Sequence, residues 1–121
     1  LDDADGGEKV SIVDKTGKNS IDIDSQKNAL SIKAGSKVEI QTQAGHKIVL
    51  DDSGISIEAA AGKDLTLKAQ NITLEAAMKM AMKANMNLDI EGSMTKVTGK
   101  ASMDLDGGPM LNVKGALVKI N

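Results

Sequence analysis

Along this chain an apolar residue is followed, two places on, by a second apolar residue, and the pair recurs throughout. The pairs are Val10/Ile12, Ile21/Ile23, Leu30/Ile32, Val38/Ile40, Ile48/Leu50, Ile55/Ile57 and Leu65/Leu67. They continue as Ile72/Leu74, Met80/Met82, Leu88/Ile90, Met103/Leu105, Leu111/Val113 and Val118/Ile120, with a weaker unit around Val97. The residue inside each pair is mostly polar, as at Ser11, Asp22, Ser31, Glu39, Thr66, Asp89 and Lys119. A period of two sends alternate side chains to opposite faces of an extended chain, so each pair predicts a short strand with one apolar face. From Leu30 to Val118 is 88 residues in 11 steps, a mean of 8.0. A fixed period of this kind marks a repeating architecture.

Turn formers punctuate the pairs: Thr16-Gly17-Lys18-Asn19, Ala34-Gly35, Ala44-Gly45, Ser53-Gly54, Ala61-Gly62, Gly92-Ser93 and Gly107-Gly108-Pro109. Such residues suit corners where the chain takes a positive φ or passes close to another backbone. The predicted fold class is all-β. One stretch reads two ways. Met78 to Met86 (MKMAMKANM) is rich in helix formers, with Met78, Met82 and Met86 spaced i, i+4. A helix strands Met80 on another face. The strand reading puts Met78, Met80, Met82, Ala84, Met86, Leu88 and Ile90 on one face and keeps the eight-residue phase. It is preferred because neighbouring repeats impose their geometry more strongly than local propensity does.

The length of the repeat carries the next step. Eight residues hold one strand of about five and a corner. A single chain closing a β-helical coil needs three strands and three corners, on the order of 18 residues. Eight cover one side of such a triangle. Three copies wound round one another close it, each supplying one side per level. The expected architecture is therefore an intertwined homotrimeric triple-stranded β-helix, a triangular prism whose axial core is every pair from Leu30/Ile32 to Val118/Ile120. Residues 1–29 are expected to be lead-in strands and 30–121 the octad-repeat spike. About twelve levels at a strand spacing of about 4.8 Å give a rod of about 55–60 Å. A lone chain would leave its pairs wet and its ladder unpaired, so folding is expected to be coupled to trimerisation.

Composition suits a narrow core. There is no Phe, Tyr, Trp or Cys, and all 15 basic residues are Lys. Aliphatic side chains and Met must replace the aromatic rings that usually supply much of a core's area. Disulfides and thiolate metal sites are excluded. A net charge of −2 offers no basic field, and nothing is present to stack on bases or fork to phosphates, which speaks against a nucleic-acid partner. No apolar run approaches the roughly 20 residues of a membrane-spanning helix. Opening on Leu, the chain reads as a piece of something longer.

Candidate chemistry is sparse. His46, the only histidine, follows Gly45 at a corner; three copies round an axis could hold a metal or anion, but a solvated corner is expected. Asp2, Asp3, Asp5 and Glu8, and the pair Asp51-Asp52, lack the spacing of a calcium loop and read as solvated turn acids. Asp22, Asp24, Asp104 and Asp106 alternate with apolar residues, which makes them outward strand positions. The lone histidine has no placed nucleophile beside it, and a sugar site would want aromatic platforms. No catalytic residue, cofactor or metal is expected.

The lead-in EKVSIVDKTGKNSIDID (Glu8 to Asp24), octads such as KDLTLKAQ (Lys63 to Gln70) and the ending LNVKGALVKIN (Leu111 to Asn121) resemble the C-terminal spike of contractile injection systems. That family includes the phage baseplate central spike, the valine-glycine repeat proteins (VgrG) of type VI secretion and the spikes of extracellular phage-tail-like particles. The resemblance implies a trimeric needle, preceded by an oligosaccharide/oligonucleotide-binding barrel and driven through an envelope when a sheath contracts. It implies a homotrimer joined to a tail tube or baseplate hub through an upstream part, and only transient contact with the target envelope. It also implies assembly in the bacterial cytoplasm within a virion or injection particle, followed by ejection. Some phage spikes close their tip on a metal held by His-X-His. Here His46 lies far from the C-terminus, so the resemblance favours Leu117, Val118, Lys119, Ile120 and Asn121 as a platform for a PAAR-type tip protein. The expected function is structural. The rival readings are a tail-fibre polysaccharide lyase, which also uses an intertwined β-helix, and an adhesin-like stalk or binding module.

Overall fold

The computed structural model describes residues 9–121. Those residues are all-β, with six strands and no helix. The chain forms two units, Leu1–Thr73 and Leu74–Asn121.

In the first unit β1 (Lys9–Val13), β2 (Ser20–Asp24) and β3 (Ala29–Lys33) make an antiparallel meander. A second meander, of the same order, joins β4 (Lys37–Gln41), β5 (Lys47–Asp51) and β6 (Gly54–Glu58). The register sets the apolar pairs side by side. Val10 faces Ile23, which faces Leu30, and Ile12 faces Ile21, which faces Ile32. In the second sheet the rows are Val38, Leu50, Ile55 and Ile40, Ile48, Ile57. Three pairs thus tile one face of each sheet. A slip of one residue would carry all six to the other face, so the aliphatic rows pin the register.

The turns follow from local chemistry. Between β1 and β2 the Asp14 carboxylate accepts hydrogen bonds from Thr16 Oγ1 (2.8 Å), the Asn19 backbone N–H (3.1 Å) and Asn19 Nδ2 (2.8 Å). Asn19 Oδ1 in turn accepts from the Gly35 N–H at 3.0 Å, tying this turn to the link between the meanders. Two residues, Asp52 and Ser53, connect β5 to β6. Gly54 then takes φ +135°, where a β-carbon would be strained, and the Asp51 carboxylate accepts from the Ser53 N–H at 2.8 Å.

These meanders correct one expectation. The first six pairs find ladder partners within their own chain, where strands of other chains were expected. A two-residue period allows either arrangement, and turns such as Asp14–Asn19 and Asp52–Ser53 fold the chain back on itself. The expected border between residues 29 and 30 falls at the start of β3, and the backbone changes regime after β6.

Beyond Glu58 the chain forms no strand and no ladder within itself, and is broken by turns and bends. In the first unit it turns at Ala61–Gly62 and bends at Gln70. In the second it bends at Ala77–Met78, Asn85–Met86, Ser93–Met94, Lys100–Ala101, Gly108–Pro109 and Ala116–Leu117. Met78 to Met86 is neither a helix nor a continuous strand. Bends at both ends divide the single face expected from Met78 to Ile90 into two levels, Met80/Met82 and Leu88/Ile90.

Candidate trimerisation surface

No described residue is fully buried, apolar or polar. The chain exposes 12218 Å², about twice the 6200 Å² expected of a compact protein of 12.6 kDa. The inversion is sharpest in the first meander. Ile21 and Ile23 on its apolar face are 43% and 48% exposed, whereas the Asp22 side chain on its polar face is 17% exposed. Ser11, Ser20 and Lys9 cover Asp22 on its own face, while Ile21 and Ile23 are left nearly half-exposed. Exposed apolar surface this extensive marks an association site.

Backbone hydrogen bonds give the same reading independently. A folded protein makes about one per residue, about two-thirds of them between backbone groups. From residue 59 to 121 the described backbone makes two, Lys63 N–H to Ala60 O (3.0 Å) and Met110 N–H to Gly107 O (3.2 Å). Extended segments whose amides and carbonyls have no partner in their own chain are edges waiting for strands.

Every predicted axial residue but the half-buried Val38 is exposed, and within one chain they form no core. Leu65 and Leu67, expected at one axial level, show the discrepancy plainly. They are 58% and 67% exposed, because their segment has no strand beside it and no apolar wall opposite. Ile72 and Leu74, the next level, are likewise exposed. In the C-terminal unit the first member of each level is the better covered: Met80 exceeds Met82, Leu88 exceeds Ile90, Met103 exceeds Leu105, and Leu111 exceeds Val113. In the first unit the face of the second meander carries an open groove of about 420 Å³, lined by Ile40, Ile48, Ile57 and Leu65 together with His46 and Asp64. Leu67 does not reach it. At the C-terminal end Leu117, Val118 and Ile120 are exposed, Ile120 almost wholly, with Lys119 and Asn121 beside them.

A column of small residues escaped the reading of the sequence. Ala76, Ala84, Gly92, Gly99, Gly107 and Gly115 each stand immediately before a bend. At Gly99 a β-carbon would collide with the Ser102 carbonyl oxygen, and at Gly107 with that of Met110 and, at 2.8 Å, with the Leu111 β-carbon. The chain at these corners folds over its own backbone. The signal was present as an Ala or Gly two places after Val97 and after each pair from Ile72/Leu74 to Leu111/Val113.

His46 is not the solvated corner expected. It is half-buried, and its Nδ1 accepts a hydrogen bond from the Ala60 N–H at 3.1 Å, so the ring proton sits on Nε2. Thr42 N–H to His46 O and Gly45 N–H to Thr42 O, both 3.0 Å, close the turn that carries it. The imidazole fastens the β4–β5 turn to the segment leaving β6. His46→Ala should remove about 1 kcal/mol and speed amide exchange at Ala60, while His46→Asn, which keeps an acceptor, should restore part of the protection. Among the described residues no three His, Cys, Asp or Glu side chains come together as a metal site. The cluster Asp2, Asp3, Asp5 and Glu8 lies outside the described residues.

The acids of the first meander are structural. Asp22 accepts from Ser11 Oγ and Ser20 Oγ and pairs with Lys9 at 3.5 Å. The Ser11 hydroxyl above all holds its carboxyl below the usual carboxylate range. Asp14 is lowered first by Thr16, and Asp24 first by the Lys27 backbone N–H. A carboxyl whose folded pKa is depressed stabilises the fold above its unfolded value, and that contribution fades as pH falls through the folded value. Acidification below about pH 4 should therefore open β1–β3 first, read as faster exchange of the Lys9–Lys33 amides. Asp22→Asn should flatten that dependence.

The model of the phage baseplate V C-terminal trimerisation domain family matches residues 37–121, from β4 to the last residue. Comparison with the curated proteins gives no match. Aliphatic faces left bare, a backbone after Glu58 with almost no partner in its own chain and corners recurring about every eight residues are what a trimerisation domain requires of one protomer. The chain belongs to the phage baseplate V C-terminal trimerisation domain family, and its role is that of a structural, trimer-forming part of a baseplate spike.

Proposed function

We propose that three copies intertwine into a triple-stranded β-helical needle, the envelope-piercing tip region of the central spike of a contractile injection machine. The carrying observation is the unpaired backbone of residues 59–121, with two internal backbone hydrogen bonds and an apolar pair at nearly every level. Partner chains that add strands at each level satisfy both at once. The pairs from Leu65/Leu67 to Val118/Ile120 then form the axial core. Mechanical stiffness comes from the continuous ladder and the dry aliphatic axis.

The lead-in residues connect this needle to an upstream hub, and the spike is assembled in the bacterial cytoplasm and ejected on contraction. It meets the target envelope only in passing. Leu117, Val118, Lys119, Ile120 and Asn121, exposed from the last bend onward, offer the platform for a PAAR-type tip protein. Co-expression with such a protein tests the docking: the full chain should retain it through purification, and a chain ending at Ala116 should remain trimeric but lose it. Equal retention by both chains would remove the platform assignment.

A further inference from the structure

The recurring pairs leave one set of large apolar side chains unassigned. Met78, Met86 and Met94 stand eight residues apart, each the second residue of a bend. They are 99%, 92% and 94% exposed, against 49% for Met80 inside a pair. Their own chain gives them almost no cover. Met78 precedes Met80 and Met82 by two and four places, and Met86 precedes Leu88 and Ile90 in the same way. An extended chain holds such positions on one face. Met78 and Met86 therefore share the side of the pairs that follow them, where the trimerisation surface is; Met94, followed by Lys96 and Thr98 at those places, joins them by its position at the corner and the period of eight.

We propose that Met78, Met86 and Met94 form a further column of the intersubunit core, each reaching past its corner to pack on the apolar pair of a neighbouring copy of this chain. The inference rests on the intertwined trimer proposed above. Continuity with that surface and the shared period of eight identify the occupant as a second copy. The junction between two faces of a prism is an irregular space, and Met, unbranched and polarizable, fills such gaps better than Ile or Val.

Peroxide oxidation of the assembled protein tests this, with sulfoxide measured residue by residue by mass spectrometry. Methionine oxidation follows solvent access. Met78, Met86 and Met94 should oxidise about tenfold or more slower than in the urea-unfolded chain, as slowly as Met80, Met82 and Met103. Fast oxidation of the three corner residues beside slow oxidation of the pair residues would place the corners outside, overturning the column and leaving the trimer intact. Fast oxidation of both sets would overturn the column and the intertwined trimer together. As a second measurement, the M78Q/M86Q/M94Q variant should lower the thermal midpoint of the trimer, whereas K79Q/K83Q should leave it unchanged. Unchanged midpoints for both variants would also overturn the column.

Discussion

Ile72→Asp is expected to abolish assembly. Ile72 opens the Ile72/Leu74 pair, lies half-exposed in the single chain and sits among segments with no backbone partner of their own. In an intertwined trimer the substitution places three carboxylates at one level of a dry axis, without cations or donors to meet them. Burying one unpaired charge costs several kcal/mol even after relaxation, and three like charges repel one another as well. Thr73→Asp adds the same charge one residue on, at an outward position, and should assemble normally. Ile72→Val removes one methylene and should cost only about 1 kcal/mol per chain. Sedimentation of the three variants separates the outcomes. A trimer from Ile72→Asp as stable as that from Thr73→Asp would show that Ile72 is not axial.

Gly107→Ala should be the next most damaging single change. Its new β-carbon would run into the Met110 carbonyl oxygen and approach the Leu111 β-carbon at 2.8 Å. Neither atom can retreat without moving the corner, and the strain recurs in each copy. Overpacking of this kind costs about 1–3 kcal/mol per site, so three copies should lower the thermal midpoint markedly. Gly92 provides the comparison within the same unit. There an added β-carbon would meet Thr95 Oγ1 at 3.3 Å and the Met94 carbonyl oxygen at 3.4 Å, and Ala already stands at the equivalent positions 76 and 84. Gly92→Ala should therefore be mild. Equal effects at the two positions would contradict the close backbone approach at Gly107.

The apolar pairs are legible because their two-residue step is the geometry of a strand, and the first six lie in the strands β1 to β6. What spacing does not contain is the identity of each strand's partner. Val10/Ile12 and Leu65/Leu67 look alike in sequence, yet the first pair lies in an intrachain meander and the second finds no strand in its own chain. The difference arises in the connections: Asp14 with Thr16 and Asn19, and Gly54 after a two-residue turn, reverse the chain, whereas the later corners only bend it. His46 was misjudged because its partner, the Ala60 N–H, lies fourteen residues away and is brought close only by β5 and β6. The small-residue column was readable. Ala84 reads equally well as an apolar strand residue, which hides the phase that it and Ala76 share with Gly92, Gly99, Gly107 and Gly115.

The intertwined trimer is tested most directly by absolute mass in solution. Light scattering on the purified chain, with an unboiled detergent gel beside it, should show one species of three chains of 12.6 kDa each that survives detergent until heated. Dissociation and loss of β-structure should occur in a single step, because one chain has no core of its own. A folded species with the mass of one chain would contradict the intertwined trimer.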